Sequence, residues 1–227
     1  MRRVQVWDLP TRLFHWLIVL LVITSVVTAK LGGPWLRWHL ASGATILTLV
    51  AFRLVWGFVG GGYARFRRFA YGPLAGLRYL RDWLRPPGHP ERRHYLGHNP
   101  VGGWMVFLLL ALLAAQAASG LFATDDILFD GPLRKYVSES TSAKLTTWHH
   151  RAQWVFFALV GLHVLAVIGY MVLRKENLIR PMFTGWKSLG EGARAVDEQP
   201  RHHSRLGLAA AILAVTALAV TALVKLA

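Results

Sequence analysis

The chain has 227 residues, 54% of them hydrophobic and only 16% charged, with a net charge of +15 and no cysteine. Long apolar runs and a positive mean hydropathy place it among integral membrane proteins rather than soluble domains. The missing cysteines exclude disulfides, iron–sulfur clusters, thiolate-ligated haem and covalent C-x-x-C-H haem attachment. The basic residues sit between apolar runs, so they mark cytoplasmic loops rather than a nucleic-acid surface.

Crossing the hydrocarbon core takes about 20 apolar residues in a helix. Five runs meet or approach that length, at about residues 13–29, 39–59, 101–122, 149–173 and 206–224. Arg2 and Arg3 before the first run resemble the start of a secretory leader. Trp7, Asp8, Pro10 and His15 do not suit one, and the run is read as a span. Segment 60–100 carries eight arginines and segment 174–205 carries seven Lys and Arg, whereas the other two connections are sparsely basic or offset by acids. The positive-inside rule then puts the N-terminus and both basic loops in the cytoplasm and the C-terminus in the periplasm. Within the first basic loop, Leu74, Leu77, Leu80 and Leu84 share one helical face with Arg78, Arg81 and Arg85 interleaved. That pattern predicts a short helix on anionic lipid, with a docking helix for a soluble partner as the alternative, ended by Pro86-Pro87-Gly88. The expected fold is an all-α membrane bundle: a four-helix core over residues 1–190, then a linker and a fifth span over 191–227.

Ten histidines occur, and four fit inside apolar spans. His149 and His163 are fourteen residues apart, about 21 Å along a helix axis and within roughly 40° of one face. One helix therefore presents two imidazoles to one side, one in each leaflet. Thirteen residues separate His150 from His163, which turns them about 140° apart and makes His150 the poorer candidate. If His15 lies at the depth of His163, fourteen residues of climb end at Ala29, and the Gly32-Gly33-Pro34 turn returns the chain at His39. Counting thus pairs His15 with His163 and His39 with His149, each pair able to clamp one iron from opposite sides. Gly43, one turn after His39, leaves room for a porphyrin. Arg53 falls at the inner depth and is a candidate partner for a haem propionate, with Arg12 as a second; Arg37 and Arg151 are the outer equivalents. Snorkelling to lipid phosphate is the competing role for each arginine. His89, His94, His98, His202 and His203 fall in polar loops and are expected to be solvated or interfacial.

Several motifs carry a family resemblance. Val6-Trp7-Asp8-Leu9-Pro10-Thr11-Arg12-Leu13-Phe14-His15-Trp16 resembles the opening of bacterial cytochrome b561-type proteins, which include the b-type cytochrome subunits of membrane-bound nickel–iron hydrogenases. The segments Phe52-Arg53-Leu54-Val55-Trp56-Gly57, His98-Asn99-Pro100-Val101-Gly102-Gly103 and Ser119-Gly120-Leu121-Phe122-Ala123-Thr124-Asp125-Asp126 are similar to that family as well. So is the stretch from His149 through His163 to Met182-Phe183-Thr184-Gly185, and the likeness covers roughly residues 4–190. It implies two non-covalent b haems held by His15, His39, His149 and His163. It also implies electron exchange between a periplasmic redox protein, a hydrogenase or cytochrome c, and the membrane quinone pool of a bacterial inner membrane. No residue set specifies a quinone site.

Two imidazoles per iron leave no open coordination position, so outer-sphere electron transfer is the expected chemistry, as a subunit of an oxidoreductase system rather than a stand-alone catalyst. An ion transporter using the intramembrane histidines is the competing class. All eleven Asp and Glu residues lie outside the apolar interiors, which argues against it. A haem-free membrane anchor is the third class, and it makes the histidine spacing a coincidence.

Overall fold

A computed structural model describes residues 2–84, 94–127, 129–189, 195–197 and 205–226. Five helices are long and apolar enough to cross a membrane. These are α1 (Leu9–Leu31), α2 (Leu36–Val59), α4 (Pro100–Gly120), α5 (Glu139–Leu173) and α7 (Leu206–Leu226). Two shorter helices, α3 (Pro73–Trp83) and α6 (Ile179–Thr184), lie in the basic connections.

Helices α1 and α5 run further than hydropathy alone indicates, and their caps say why. Asp8 accepts a hydrogen bond from the Thr11 amide and starts α1 four residues before the expected bound, with Pro10 in the first turn, where no amide hydrogen is needed. Ser138 does the same for the Thr141 amide, so α5 begins ten residues ahead of His149 and reaches 35 residues. That is about 52 Å of helix against about 30 Å of hydrocarbon. Its polar first turns stand outside the apolar layer, where Ser142 is buried and donates to the Phe122 carbonyl at 2.7 Å. The α1–α2 turn is tighter than expected. Gly32 and Gly33 both take positive φ, a single 3-10 turn follows, and α2 starts three residues before His39.

In the bundle, α1 packs along α2, α2 also meets α4 and α7, and α4 packs along α5. Among the described residues, α5 shares no comparable seam with α1 or α2. Midway along the bundle, Ile46, Val50, Leu113 and Phe156 form a buried cluster, flanked by Ile18 and Leu21 of α1.

The basic end is tied together by contacts far apart in sequence. Strand β1 (Arg2–Gln5) pairs antiparallel with β2 (Trp186–Leu189), with Arg2 opposite Leu189. Val6, Trp7, Tyr63, Leu96 and Leu189 bury a small core there. Helix α3 rests on α4 where Gly76 meets the Trp104 ring, too close for any side chain at position 76, and the Trp104 indole donates to the Tyr71 carbonyl. Its leucines Leu74, Leu77, Leu80 and Leu84 are exposed, as the sequence pattern of a surface helix requires. Pro86-Pro87-Gly88, His89, His202 and His203 lie outside the described residues. At the opposite end, the α4–α5 connection folds back on itself, with Gly131 and Leu133 donating to the Ala123 and Leu121 carbonyls.

Candidate cofactor sites between the helices

The two intramembrane histidine pairs come from three helices: His15 from α1, His39 from α2, and His149 and His163 from α5. His39 and His149 stand ring to ring, with centroids 6.0 Å apart and planes at 87°. An imidazole nitrogen binds a divalent metal at about 2.0–2.1 Å, so two rings on one axis through a metal have centroids about 6 Å apart. The observed spacing fits one iron between them.

The hydrogen bonds preset which nitrogen is free. His39 Nδ1 lies 3.0 Å from the Ser25 carbonyl, and the Ser25 hydroxyl is also 3.0 Å away. His149 Nδ1 lies 2.9 Å from the Gln116 carbonyl, with the Ser119 hydroxyl at 3.1 Å. A carbonyl only accepts, so each Nδ1 carries the hydrogen and each Nε2 keeps a bare lone pair for a metal. The Gln116 side chain then donates to the His149 carbonyl at 2.7 Å and fixes α4 against α5. Gly120 is tight against the same ring: a Cβ there would sit 3.1 Å from His149 Cε1. Gly43, one turn along α2 from His39, faces open space instead.

At the basic end, His15 and His163 lie within electrostatic reach of each other. His15 Nδ1 is out of contact with solvent and has no hydrogen-bond partner. Arg53 is only 3% exposed. Its Nη2 donates to the Ala64 carbonyl at 3.0 Å, its guanidinium lies over the Phe66 ring, and its Nη1 has no partner. Arg12 donates to the Phe183 carbonyl, while its buried Nε is unpartnered. The outer arginines contribute less: Arg37 lies over the Trp38 ring and Arg151 is exposed. His150 is also exposed, its ring 6.2 Å from that of His149.

One loop histidine departs from expectation. His98 is not a solvated side chain. Its ring lies 4.7 Å from that of Trp7 and 4.6 Å from that of Phe69, and its Nδ1 touches no solvent. Burial, followed by the charges of Arg53, His163 and His15, holds its imidazole far below the usual range, at about 3. The sequence reading also passed over Ser25, Gln116, Ser119 and Gly120. Main-chain acceptors leave no mark in sequence, although Ser119-Gly120 stood within a motif noted for its family likeness.

Residues 6–185 match the family of prokaryotic cytochrome b561. The chain belongs to that family. Among curated proteins it is 25% identical over 215 residues to a probable Ni/Fe-hydrogenase B-type cytochrome subunit of Rhizobium leguminosarum bv. viciae, covering 80% of this chain and 87% of the relative. It is 26% identical to the corresponding protein of Azotobacter vinelandii, covering 81% and 88%. A probable Ni/Fe-hydrogenase 1 B-type cytochrome subunit of Escherichia coli K12 is 24% identical, covering 81% and 90%. No solved structure matches. The prokaryotic cytochrome b561 family is one of b-type cytochromes, so haem b is the group whose fit the histidine pairs are tested for. The residues fit it: a ring pair at iron-spanning distance, bare Nε2 atoms, an open glycine face and, at one end, two arginines that each keep one buried nitrogen without a partner. Helix α7 lies outside the matched stretch and packs on α2, where Ala209 joins Phe52 and Trp56.

Proposed function

We propose that this cytochrome b561 carries electrons across a bacterial inner membrane through two haem b groups, one on His39 and His149 and one on His15 and His163. The observation that carries the reading is the His39–His149 pair, 6.0 Å apart, with both Nδ1 atoms anchored on main-chain carbonyls. Haem b, when bound, would supply a one-electron redox centre, and His39 with His149 and His15 with His163 are the residues that would hold it. The protein's own part is to fix ring orientation, exclude water and set the local charge. Ser25 and Gln116 orient the outer rings. Arg53 and Arg12 supply positive charge at the inner pair, with Arg37 and Arg151 near the outer surface. Gly43 leaves the outer porphyrin its space. The apolar cluster of Ile46, Val50, Leu113 and Phe156 separates the two sites and keeps the interval dry.

The basic loops support an orientation with N-terminus and inner pair cytoplasmic, and outer pair and C-terminus periplasmic. Residues 1–190 form the two-haem core and α7 is an addition to it. The relatives' names support a hydrogenase as the redox partner; the proposed orientation puts it in the periplasm, with a cytochrome c as the other redox protein of suitable chemistry and the quinone pool as the far end of the path. The test is haem content and colour. Purified protein should give a reduced b-type spectrum and about two haems per chain by the pyridine haemochrome assay, matching the two bis-histidine sites. A folded, colourless protein contradicts the reading.

A further inference from the structure

Helix α3 is clamped along one stripe and bare along another. Gly76, Tyr79 and Trp83 follow at three- and four-residue intervals, so they share a face. Gly76 meets the Trp104 ring of α4 with no room for a side chain. The Tyr79 ring lies 5.8 Å from that of Tyr95, and the Arg174 guanidinium lies 4.8 Å from the centre of the Trp83 ring. The Trp104 indole, donating to the Tyr71 carbonyl at 2.9 Å, ties down the segment that leads into the helix. Anchored from separate parts of the chain, α3 cannot roll. The stripe of Leu74, Leu77, Leu80 and Leu84 lies roughly 120° around the helix from the anchored one. It stays uncovered, its leucines between 47% and 79% exposed.

Depth and charge together say what covers that stripe. Trp104 is the fifth residue of α4, and Arg174 caps α5 directly after Leu173. Both anchors stand where the spans leave the apolar layer, a level that suits tryptophan and arginine. Helix α3 therefore lies along the membrane boundary rather than out in water. Arg78 and Arg81 are exposed and fall on the flank of the leucine stripe that points away from the anchors. Arg67 and Arg68, in the 3-10 turn before the helix, are exposed as well. Asp82 is the only acid of α3, and it pairs with Arg81 at 3.9 Å. Leucines on one side and cations on the next match an acyl boundary topped by anionic headgroups. A soluble protein would have to enter that boundary to reach the leucines. A second copy would bring its own arginines against these, and like charges repel.

We infer that α3 is a docking surface for anionic phospholipid in the leaflet at the basic end of the bundle. Leu74, Leu77, Leu80 and Leu84 seat among the acyl chains, and Arg67, Arg68 and Arg78 hold the headgroups. The contacts to Trp104 and Arg174 join this surface to α4 and α5. The surface is independent of the haem sites.

The chain has no cysteine, so Leu80→Cys gives one site for a bimane fluorophore in the full-length protein held in lipid nanodiscs. Quenching is compared in phosphatidylcholine discs that hold a minor fraction of dibrominated phosphatidylcholine or the same fraction of dibrominated phosphatidylglycerol, at low salt. Both lipids should quench, phosphatidylglycerol the more strongly, and aqueous iodide should quench little. One cation near an anionic surface changes local lipid binding about fivefold, so Arg78→Gln should lower the preference for phosphatidylglycerol by about that factor. Replacing Arg67, Arg68 and Arg78 together by Gln should make the two lipids equal, and so should high salt acting on the unsubstituted arginines. If Leu80→Cys does not fold, Leu77→Cys carries the same label on the same stripe. Strong iodide quenching with none from either lipid overturns the inference, because the leucines then face water or a soluble partner. Equal quenching by the two lipids before any arginine is replaced overturns it too, as does a preference that survives the triple replacement. Loss of lipid quenching in discs that hold two chains instead of one assigns the face to a second copy and also overturns it.

Discussion

At the His39–His149 pair, both Nδ1 atoms end on main-chain carbonyls of neighbouring helices, 3.0 and 2.9 Å away. At the His15–His163 pair, His15 Nδ1 has no such partner, and the surroundings are instead a buried arginine and a half-buried loop histidine. The outer site is thus organised by the backbone and the inner site by charged and polar side chains. A donor bond from Nδ1 raises the basicity of the opposite nitrogen and favours ferric iron. A buried cation favours the ferrous state. On the proposed two-haem reading both effects act in the same sense: the outer haem would be the weaker electron acceptor and the inner haem the stronger. Electrons delivered at the outer end would run downhill to the inner end, across about 21 Å set by the fourteen-residue interval on α5.

Substitutions can break this contrast or sharpen it. Gly120→Val should act most strongly, because a side chain there presses on the His149 ring. Outer-haem affinity should fall about 10–100-fold, as for other losses of ligand support. Haem titration of the apoprotein should show the inner site filling normally. Equal loss at both sites would mean the pairs are not independent. Arg53→Met should come next. It removes the buried inner cation and should lower the reduced-to-oxidised ratio of the inner haem about tenfold, a shift of about 59 mV in a spectroelectrochemical titration. Arg53→Lys should retain much of the charge effect while losing the bond to the Ala64 carbonyl. An Arg53→Met shift confined to the outer haem would reverse the assignment of the arginine. Ser119→Ala should be the mildest. The Gln116 carbonyl still accepts from His149, so the cost should stay within about 1 kcal/mol of stability, read by thermal denaturation followed at the haem band.

Much of the architecture was legible from apolar run lengths and from loop charge, because membrane spans announce themselves by hydropathy. The closeness of His39 and His149 was legible because helical rise and twist are fixed, so fourteen-residue intervals and a glycine turn could be counted. The counting brought His39 and His149 to the same depth, and the structure sets their rings 6.0 Å apart. Other features had no sequence signal of comparable strength. The first turns of α5 are polar, and only the Ser138 cap and the Phe122 carbonyl held by Ser142 explain their order. The β1–β2 ribbon joins segments more than 180 residues apart. His98 sits in a stretch that reads as polar loop, and Trp7 and Phe69, which half-bury its ring, arrive from elsewhere in the chain. The backbone carbonyls of Ser25 and Gln116 carry no residue identity at all.

The pairing itself is tested most directly by comparing His15→Ala with His39→Ala in purified protein, counting haem by the pyridine haemochrome assay and identifying the survivor by its midpoint potential. Each variant should keep about one haem per chain, the higher-potential one in His39→Ala and the lower-potential one in His15→Ala, because each bis-histidine site holds its own iron. Loss of the same haem from both variants, or retention of both haems in either, would contradict two independent sites built on His15 with His163 and His39 with His149.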